Sequence, residues 1–138
     1  MQCFATMRDC QTGMRAVIST SSSRKKAFVG DALFSLYARR EVVLGGGCRN
    51  AELHPAAVGI VCCEAQAAGA DRIFDTLSPE EQSVYIKGRN MHHANYPRHS
   101  SRADYCKATG LETLFGWLYL SGRADRCEAL YAIIRAGA

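Results

Sequence analysis

Two acidic residues lie within two of the most apolar segments of the chain. Asp31 lies in the segment 28–37 and Glu112 in the segment 108–120. A carboxylate is costly to bury unless something pairs with it. If both segments are helices, the residues three and four positions from each acid include no cation. We therefore expect each acid to find its partner elsewhere in the fold or outside the protein.

Two alternatives follow for these acids. Gly30 precedes Asp31 directly and Gly110 lies two residues before Glu112, so another helix or a ligand can approach closely. Acids on two packed helices can bind one divalent cation, which can lower the pKa of a bound water and stabilise charge on a phosphate during hydrolysis. The other alternative is that each acid is a helix-end or ion-paired residue, for instance with Arg39 or Lys107.

The remaining motifs are weak signals for chemistry. Residues 45–47 are three glycines without the Gly-Lys-Ser/Thr ending of a P-loop, so we interpret them as a helix terminator. The histidines and cysteines lack the ligand spacings of a zinc site. Seven cysteines without a Cys-x-x-Cys pair do not predict a disulfide framework. We expect most of them to be small buried residues in a reducing compartment.

A local excess of positive charge marks the segment 87–107. It has five cations against one acid, Asp104, and so accounts for the net charge of +4, while the rest of the chain is balanced. A local basic strip suits a polyanion such as nucleic acid, and a solvated loop is the alternative. The five cations are Lys87, Arg89, Arg98, Arg102 and Lys107.

Apolar positions recur at helical spacing and no sustained alternation indicates strands, so the sequence predicts an all-α protein. With 138 residues, 48% of them hydrophobic, we expect one soluble domain with a true core and no membrane span. The first helix is predicted over 28–41, with 21–26 as a loop or as its exposed start. A second helix is predicted over 55–68.

The second half of the chain has the clearest helix boundaries. Ser78, Pro79 and Glu81 form an N-cap, a first-turn proline and a capping-box acid, which predict a helix start. A polar loop is predicted over 91–101 and a central buried helix over 105–120. The last helix is predicted over 124–136, with Leu130, Ile133 and Ile134 on its inner face.

These residues resemble a known family. Phe28-Val-Gly-Asp-Ala-Leu-Phe is similar to the signature motif of the ribonuclease III fold, and Leu111-Glu-Thr-Leu-Phe-Gly-Trp-Leu-Tyr-Leu120 is similar to its second motif. More narrowly, the chain resembles Mini-ribonuclease III, the branch that lacks the double-stranded-RNA-binding domain. Further similar segments over 28–134 are Leu53-His54, Ile60 to Ala67, Leu77 to Glu81, Lys87 to Asn90 and Pro97-Arg98.

The resemblance implies a site and its metal. Asp31 and Glu112 would be the catalytic and metal-binding acids, with Mg²⁺ as the cofactor and Mn²⁺ as an alternative. Larger ribonucleases III have two further acids where this chain has Ala27 and Thr109, and Mini-ribonuclease III resembles this chain in lacking both. The number of metal ions per site therefore stays open. RNA-binding residues would be Lys87, Arg89, Asn90, Arg98 and Arg102.

The resemblance also implies an activity and an assembly. We expect a single helical domain of the ribonuclease III type over 27–138, after an amino-terminal segment 1–26 whose packing is uncertain. It would be a homodimeric, divalent-metal-dependent endoribonuclease that cleaves double-stranded RNA in the maturation of precursor ribosomal RNA, above all the large-subunit RNA. The alternative is a non-catalytic RNA-binding or ribosome-associated protein with this fold. The compartment would be the cytoplasm or an organelle of bacterial descent.

Overall fold

The protein is a bundle of helices in the computed structural model, which describes residues 16–138. Within that range no strand is present, and the all-α prediction is confirmed. Residues 16–20 are also helical. The longer helices are α1 (Ser23–Gly45), α2 (Asn50–Val61), α3 (Cys63–Ile73), α4 (Pro79–Arg89), α5 (Arg102–Leu120) and α6 (Ala124–Ala136), with a 3₁₀ turn at Phe74–Thr76.

Helix α5 lies at the centre, as its composition predicts. Leu111, Leu114, Phe115 and Leu118 are fully buried, and α1, α3, α4 and α6 all pack against this helix. A helix with apolar residues around most of its circumference is stable only when neighbours cover most of it. Glu112 is carried by this helix, so its backbone is held in the best-packed part of the fold.

Aromatic rings join α1, α5 and α6 in the core. Phe34 of α1 packs edge-on against Phe115 of α5, with 5.5 Å between ring centroids, and against Tyr131 of α6 at 5.4 Å. Such edge-on pairs add to the gain from burying their area. The helix that carries Asp31 is thereby fixed against the helix that carries Glu112.

Three serine caps set the helix starts. Ser78 caps α4 as predicted, since its hydroxyl accepts from the Glu81 amide and the Glu81 carboxylate accepts from the Ser78 amide. Helix α1 begins at Ser23, five residues before the predicted start, because Ser22 is its N-cap. Helix α5 begins at Arg102, behind the cap Ser101. Most of the polar run 21–26 is therefore the exposed start of α1.

The prediction of one helix over 55–68 is wrong, because two helices occupy this region. The first begins at Asn50, where the Glu52 carboxylate accepts from the Arg49 amide at 2.9 Å. It ends at Val61, and Cys62 has extended backbone angles, with φ −63° and ψ 155°. The break at Cys62 separates α2 from α3, which packs against α5.

The bounds of α6 are confirmed, and its inner face needs one correction. Leu130 and Ile134 are buried as predicted, but Ile133 is 38% exposed. Cys127 and Tyr131 complete the buried face instead, at the three- and four-residue spacing that a helix dictates.

Among the cysteines of the described range only Cys127 is buried, so the expectation that most are buried is wrong there.

Two further expectations concern the ends and the surface of the chain. Residues 1–15 of the predicted amino-terminal segment lie outside the described residues, and α1 runs without interruption across the predicted domain boundary at residue 27. The boundary itself stays a prediction. Among the described helices, none has the length and apolar character to cross a membrane.

Candidate active site at a helix crossing

Two glycines bring the backbones of α1 and α5 into direct contact. A Cβ atom on Gly30 would lie 1.7 Å from the carbonyl oxygen of Glu112, and one on Gly116 would lie 1.8 Å from the carbonyl oxygen of Lys26. No side chain fits at either position, so the helices cross here only because both residues are glycine. Asp31 follows Gly30 directly, so the crossing brings the two predicted acids together.

The two acids differ in their exposure to water. Asp31 is exposed, so only Glu112, which is partly buried, bears the cost of removing a carboxylate from water. Burial and, to a lesser extent, the negative charge of Asp31 together raise the pKa of Glu112 to about 7. Glu112 therefore lies beside a like charge in a partly dehydrated position.

Neither acid forms an ion pair with another residue of the described range 16–138. Lys107, one candidate partner, binds Asp71 instead, with 2.6 Å between Nζ and Oδ2. Arg39, the other candidate, lines a groove between α1 and α2 together with Leu53 and His54. The ion-pair alternative has no support in the structure.

Gln66 of α3 is a third member of this site, and no sequence motif indicates it. Its side chain is 2% exposed, and its Nε2 donates to the carbonyl oxygen of Val61 at 3.0 Å. The same amide lies beside the Glu112 carboxylate and opposes the rise in its pKa. Its Oε1 is buried without a hydrogen-bond partner. The only signal in the sequence is one polar residue within the run of small residues 65–70.

Three of the predicted RNA-binding residues lie together. Arg89, Asn90 and Arg102 line a cavity of about 400 Å³ between the end of α4 and the start of α5, and Lys107 lines it too. The Arg102 guanidinium lies over the ring of Tyr96, 4.9 Å from its centroid. We call this the α4–α5 basic cavity.

The other two predicted RNA-binding residues lie elsewhere. Lys87 lines a separate cavity of about 550 Å³ with Lys26, Trp117 and Arg123. Dehydration lowers the pKa of Lys26, and the charge of Lys87 lowers it further. Arg98 is exposed in the 91–101 loop and lines neither cavity. The basic strip of the sequence is thus divided over at least two surfaces.

The 91–101 loop is attached to both helices of the site. His93 and Tyr96 pack edge-on against Tyr105 of α5, with centroid distances of 4.8 and 5.6 Å. Arg24, near the start of α1, donates from Nη2 to the His92 carbonyl oxygen at 3.3 Å. Tyr105 lies two helical turns before Glu112. Burial is the main cause that raises the pKa of the Tyr105 hydroxyl, and the charge of Glu112 is the second. The loop therefore lies close to the acids.

The groups at the crossing suit a hydrated Mg²⁺ or Mn²⁺ ion. Asp31 and Glu112 supply oxygen donors, and no cluster of three or more histidine, cysteine or acidic side chains is found within residues 16–138. Mg²⁺ keeps several waters and is commonly bound through one or two carboxylates. A cation between the two acids would also relieve the repulsion that contributes to the raised pKa of Glu112.

Comparisons with known proteins identify the class. Residues 25–123 match the Ribonuclease III domain family. A solved X-ray structure of a Fusobacterium nucleatum protein superimposes with a TM-score of 0.79 at 25% identity, covering 88% of this chain and 97% of that one. The family match and the fold thus define an endoribonuclease of the ribonuclease III type, a class that depends on divalent metal ions.

Curated relatives narrow the class to one branch. The chain is 41% identical over 102 residues to a Mini-ribonuclease 3 of Thermoanaerobacter sp. (strain X514), covering 74% of this chain and 72% of the relative. It is 37% identical over 100 residues to a Mini-ribonuclease 3 of Symbiobacterium thermophilum, covering 72% and 77%. The chain belongs to the Mini-ribonuclease 3 family. Membership favours the enzyme over the non-catalytic alternative.

Proposed function

We propose that this endoribonuclease hydrolyses phosphodiester bonds of double-stranded RNA, with Asp31 and Glu112 as the catalytic acids that hold Mg²⁺, or Mn²⁺ in its place. The observation that carries the proposal is the position of Glu112, partly buried beside Asp31 and without a cation from the described part of the chain. A bound cation would activate water and stabilise the negative charge that develops on the phosphate.

The two acids have different tasks in this proposal. Asp31 is exposed, so it lies on the side from which an RNA backbone can approach. Glu112 is fixed by the contact between α1 and α5 at its own backbone, so its carboxylate is held where the cation is needed. Positioning by rigid helices limits the reorganisation required during reaction. We expect products with 5′-phosphate ends.

Basic residues would position the duplex. Arg89, Asn90 and Arg102 line the α4–α5 basic cavity, while Lys87 and Arg98 would contact phosphates further along the duplex. A-form RNA is recognised through its shape, phosphates and 2′-hydroxyls, so these residues would hold the duplex more than read its sequence. The natural substrate we propose is precursor large-subunit ribosomal RNA, on the strength of the family resemblance.

A homodimer would supply the second active site that a duplex needs. The outer side of α1 carries exposed Phe28, Leu36 and Val43, which are 81%, 59% and 64% exposed. Apolar side chains so exposed on one helix are typical of an interface. We propose that a second copy of the chain covers them, so that each protomer cuts one strand.

The family resemblance also favours the cytoplasm as the place of action, with an organelle of bacterial descent as the alternative.

The test is a cleavage assay with a labelled RNA duplex and Mg²⁺. The unaltered protein should cleave, and Asp31→Asn and Glu112→Gln should each lower the rate about a hundredfold or more, as expected when a charge-stabilising group is lost. Asp75→Asn is the matched control, because Asp75 is an exposed acid on the 3₁₀ turn. A protein that binds the duplex without cutting it in either metal would refute the proposal.

The same samples can separate binding from catalysis. Arg89→Ala and Arg102→Ala should each reduce the slope of log affinity against log salt concentration by about one, the value for one lost phosphate contact. Asp31→Asn should leave that slope unchanged. Fluorescence anisotropy of a labelled duplex in chelator gives the slope. Unchanged slopes for both arginine variants would place the duplex on another face.

A further inference from the structure

Gln66 differs from the other three residues of the described range that are polar and buried as a whole, although the buried Nε2 of the half-buried His93 also lacks a partner. The others have partners for their polar atoms, whereas Gln66 uses only the nitrogen end of its side chain and leaves Oε1 buried without a donor. Leaving such an oxygen unsatisfied lowers the stability of the folded state. The other buried polar residues are Glu81, Thr109 and Thr113, bonded to Arg126, Tyr105 and Thr109 respectively.

The orientation of the Gln66 carboxamide follows from its surroundings. The Val61 carbonyl oxygen accepts from Nε2 at 3.0 Å, and the Gln66 amide also lies near enough to the Glu112 carboxylate to lower its pKa. Both are acceptors, so only the nitrogen, with its two hydrogens, can face them. Val61 is the last residue of α2, where helical carbonyls lack intrahelical donors. The break at Cys62 thus provides the acceptor that fixes one hydrogen and leaves the other for Glu112.

We propose that Gln66 is a positioning residue, whose side-chain amide holds the Glu112 carboxylate in the orientation that binds a divalent cation. The inference rests on the proposed function, because it requires Glu112 to be a metal ligand. A methionine or leucine would fill the same space without a buried unsatisfied oxygen, so the glutamine is not explained by packing. Groups that orient metal ligands typically change metal affinity or activity by about 10–100-fold when they are replaced.

Gln66→Met tests the proposal, because methionine keeps the length of the side chain and removes the donor. We expect it to weaken Mn²⁺ binding about 10–100-fold, measured by electron paramagnetic resonance without RNA. In the cleavage assay kcat should fall while KM for the duplex stays nearly constant. Stability to urea in chelator should change little, since the unsatisfied Oε1 disappears together with the hydrogen bond.

Gln82→Met is the matched control. Gln82 is a partly buried glutamine whose Nε2 donates to the Phe74 carbonyl oxygen at 3.2 Å, and it is not among the groups that shift the pKa of Glu112. This variant should bind Mn²⁺ as the unaltered protein does. Gln66→Leu provides a second test of the same loss if the methionine variant folds poorly.

Two results would overturn the inference, and they can be told apart. Unchanged Mn²⁺ affinity in Gln66→Met would overturn the inference and leave the proposed function intact; a loss of stability in the same variant would make Gln66 a structural residue. If the unaltered protein binds no Mn²⁺, or if Glu112→Gln binds Mn²⁺ equally well, the proposed function is overturned and the inference with it.

Discussion

Glu112 has lost much of its contact with water without gaining a cation from the described part of the chain. With a pKa of about 7, the Glu112 carboxyl group is protonated in a large fraction of the molecules at neutral pH when no metal is bound. A metal ion must displace that proton, so metal affinity should weaken as the pH falls below 7. The same residue that favours a cation thus makes its binding dependent on pH.

The pKa of Glu112 also predicts how stability varies with pH in chelator. Its value in the folded state is raised from 4.5 to about 7, so the unfolded chain releases this proton first as the pH rises. The free energy of unfolding should therefore fall between about pH 4.5 and pH 7, by roughly 3 kcal/mol from this group. Glu112→Gln should remove that fall and be the more stable protein at pH 8. Urea titrations of both proteins at several pH values measure the difference, and parallel curves would contradict the assignment.

At this scale, the sequence was sufficient to identify Asp31 and Glu112 as candidates, because a carboxylate in an apolar segment is conspicuous whatever the fold. Gln66 could not be found in the same way. A neutral amide carries no charge to be balanced, and its importance depends on α3 lying against α5, which follows from the tertiary fold. Asp31 itself is exposed, because its segment is buried on one side only.

The crossing of α1 and α5 is the element on which the site depends. Gly30→Ala would place a Cβ atom against the Glu112 carbonyl oxygen, where only backbone movement can relieve the clash. We expect a loss of about 1–3 kcal/mol or more in stability, together with loss of cleavage, because the two acids separate. Gly59→Ala is the control. No atom lies near its would-be Cβ, so alanine should stabilise α2 by up to about 1 kcal/mol. Equal effects of the two changes on unfolding in urea would contradict this account.

Local chemistry determined which element boundaries could be predicted. The cap at Ser78 was predicted because serine, proline and glutamate all indicate the same helix start, and the structure has that cap. The break at Cys62 was not predicted, since neither glycine nor proline lies at residues 60–63. Packing of α3 against α5 is a tertiary effect, and it overrides the helical periodicity that continues through residue 62.

At the scale of the whole molecule, the exposed apolar side of α1 predicts the assembly. Leu36→Glu places a charge on the proposed interface and should convert a dimer into a monomer, because a buried unpaired charge is costly at an interface. Sedimentation equilibrium at micromolar concentration measures the mass, and circular dichroism checks that the helices remain. Ile133→Glu, on the partly exposed side of α6, should leave the dimer intact. A monomeric unaltered protein would contradict the proposal.

The aromatic contacts of the 91–101 loop have a consequence for the thermodynamics of RNA binding. His93 and Tyr96 pack against Tyr105, and Arg24 binds the carbonyl of His92, so the loop loses its conformational entropy when the protein folds. A loop that is already ordered does not pay that entropy again on meeting a duplex. Association should then carry little ordering penalty from this segment, and its dependence on salt should reflect the release of counterions from the phosphates.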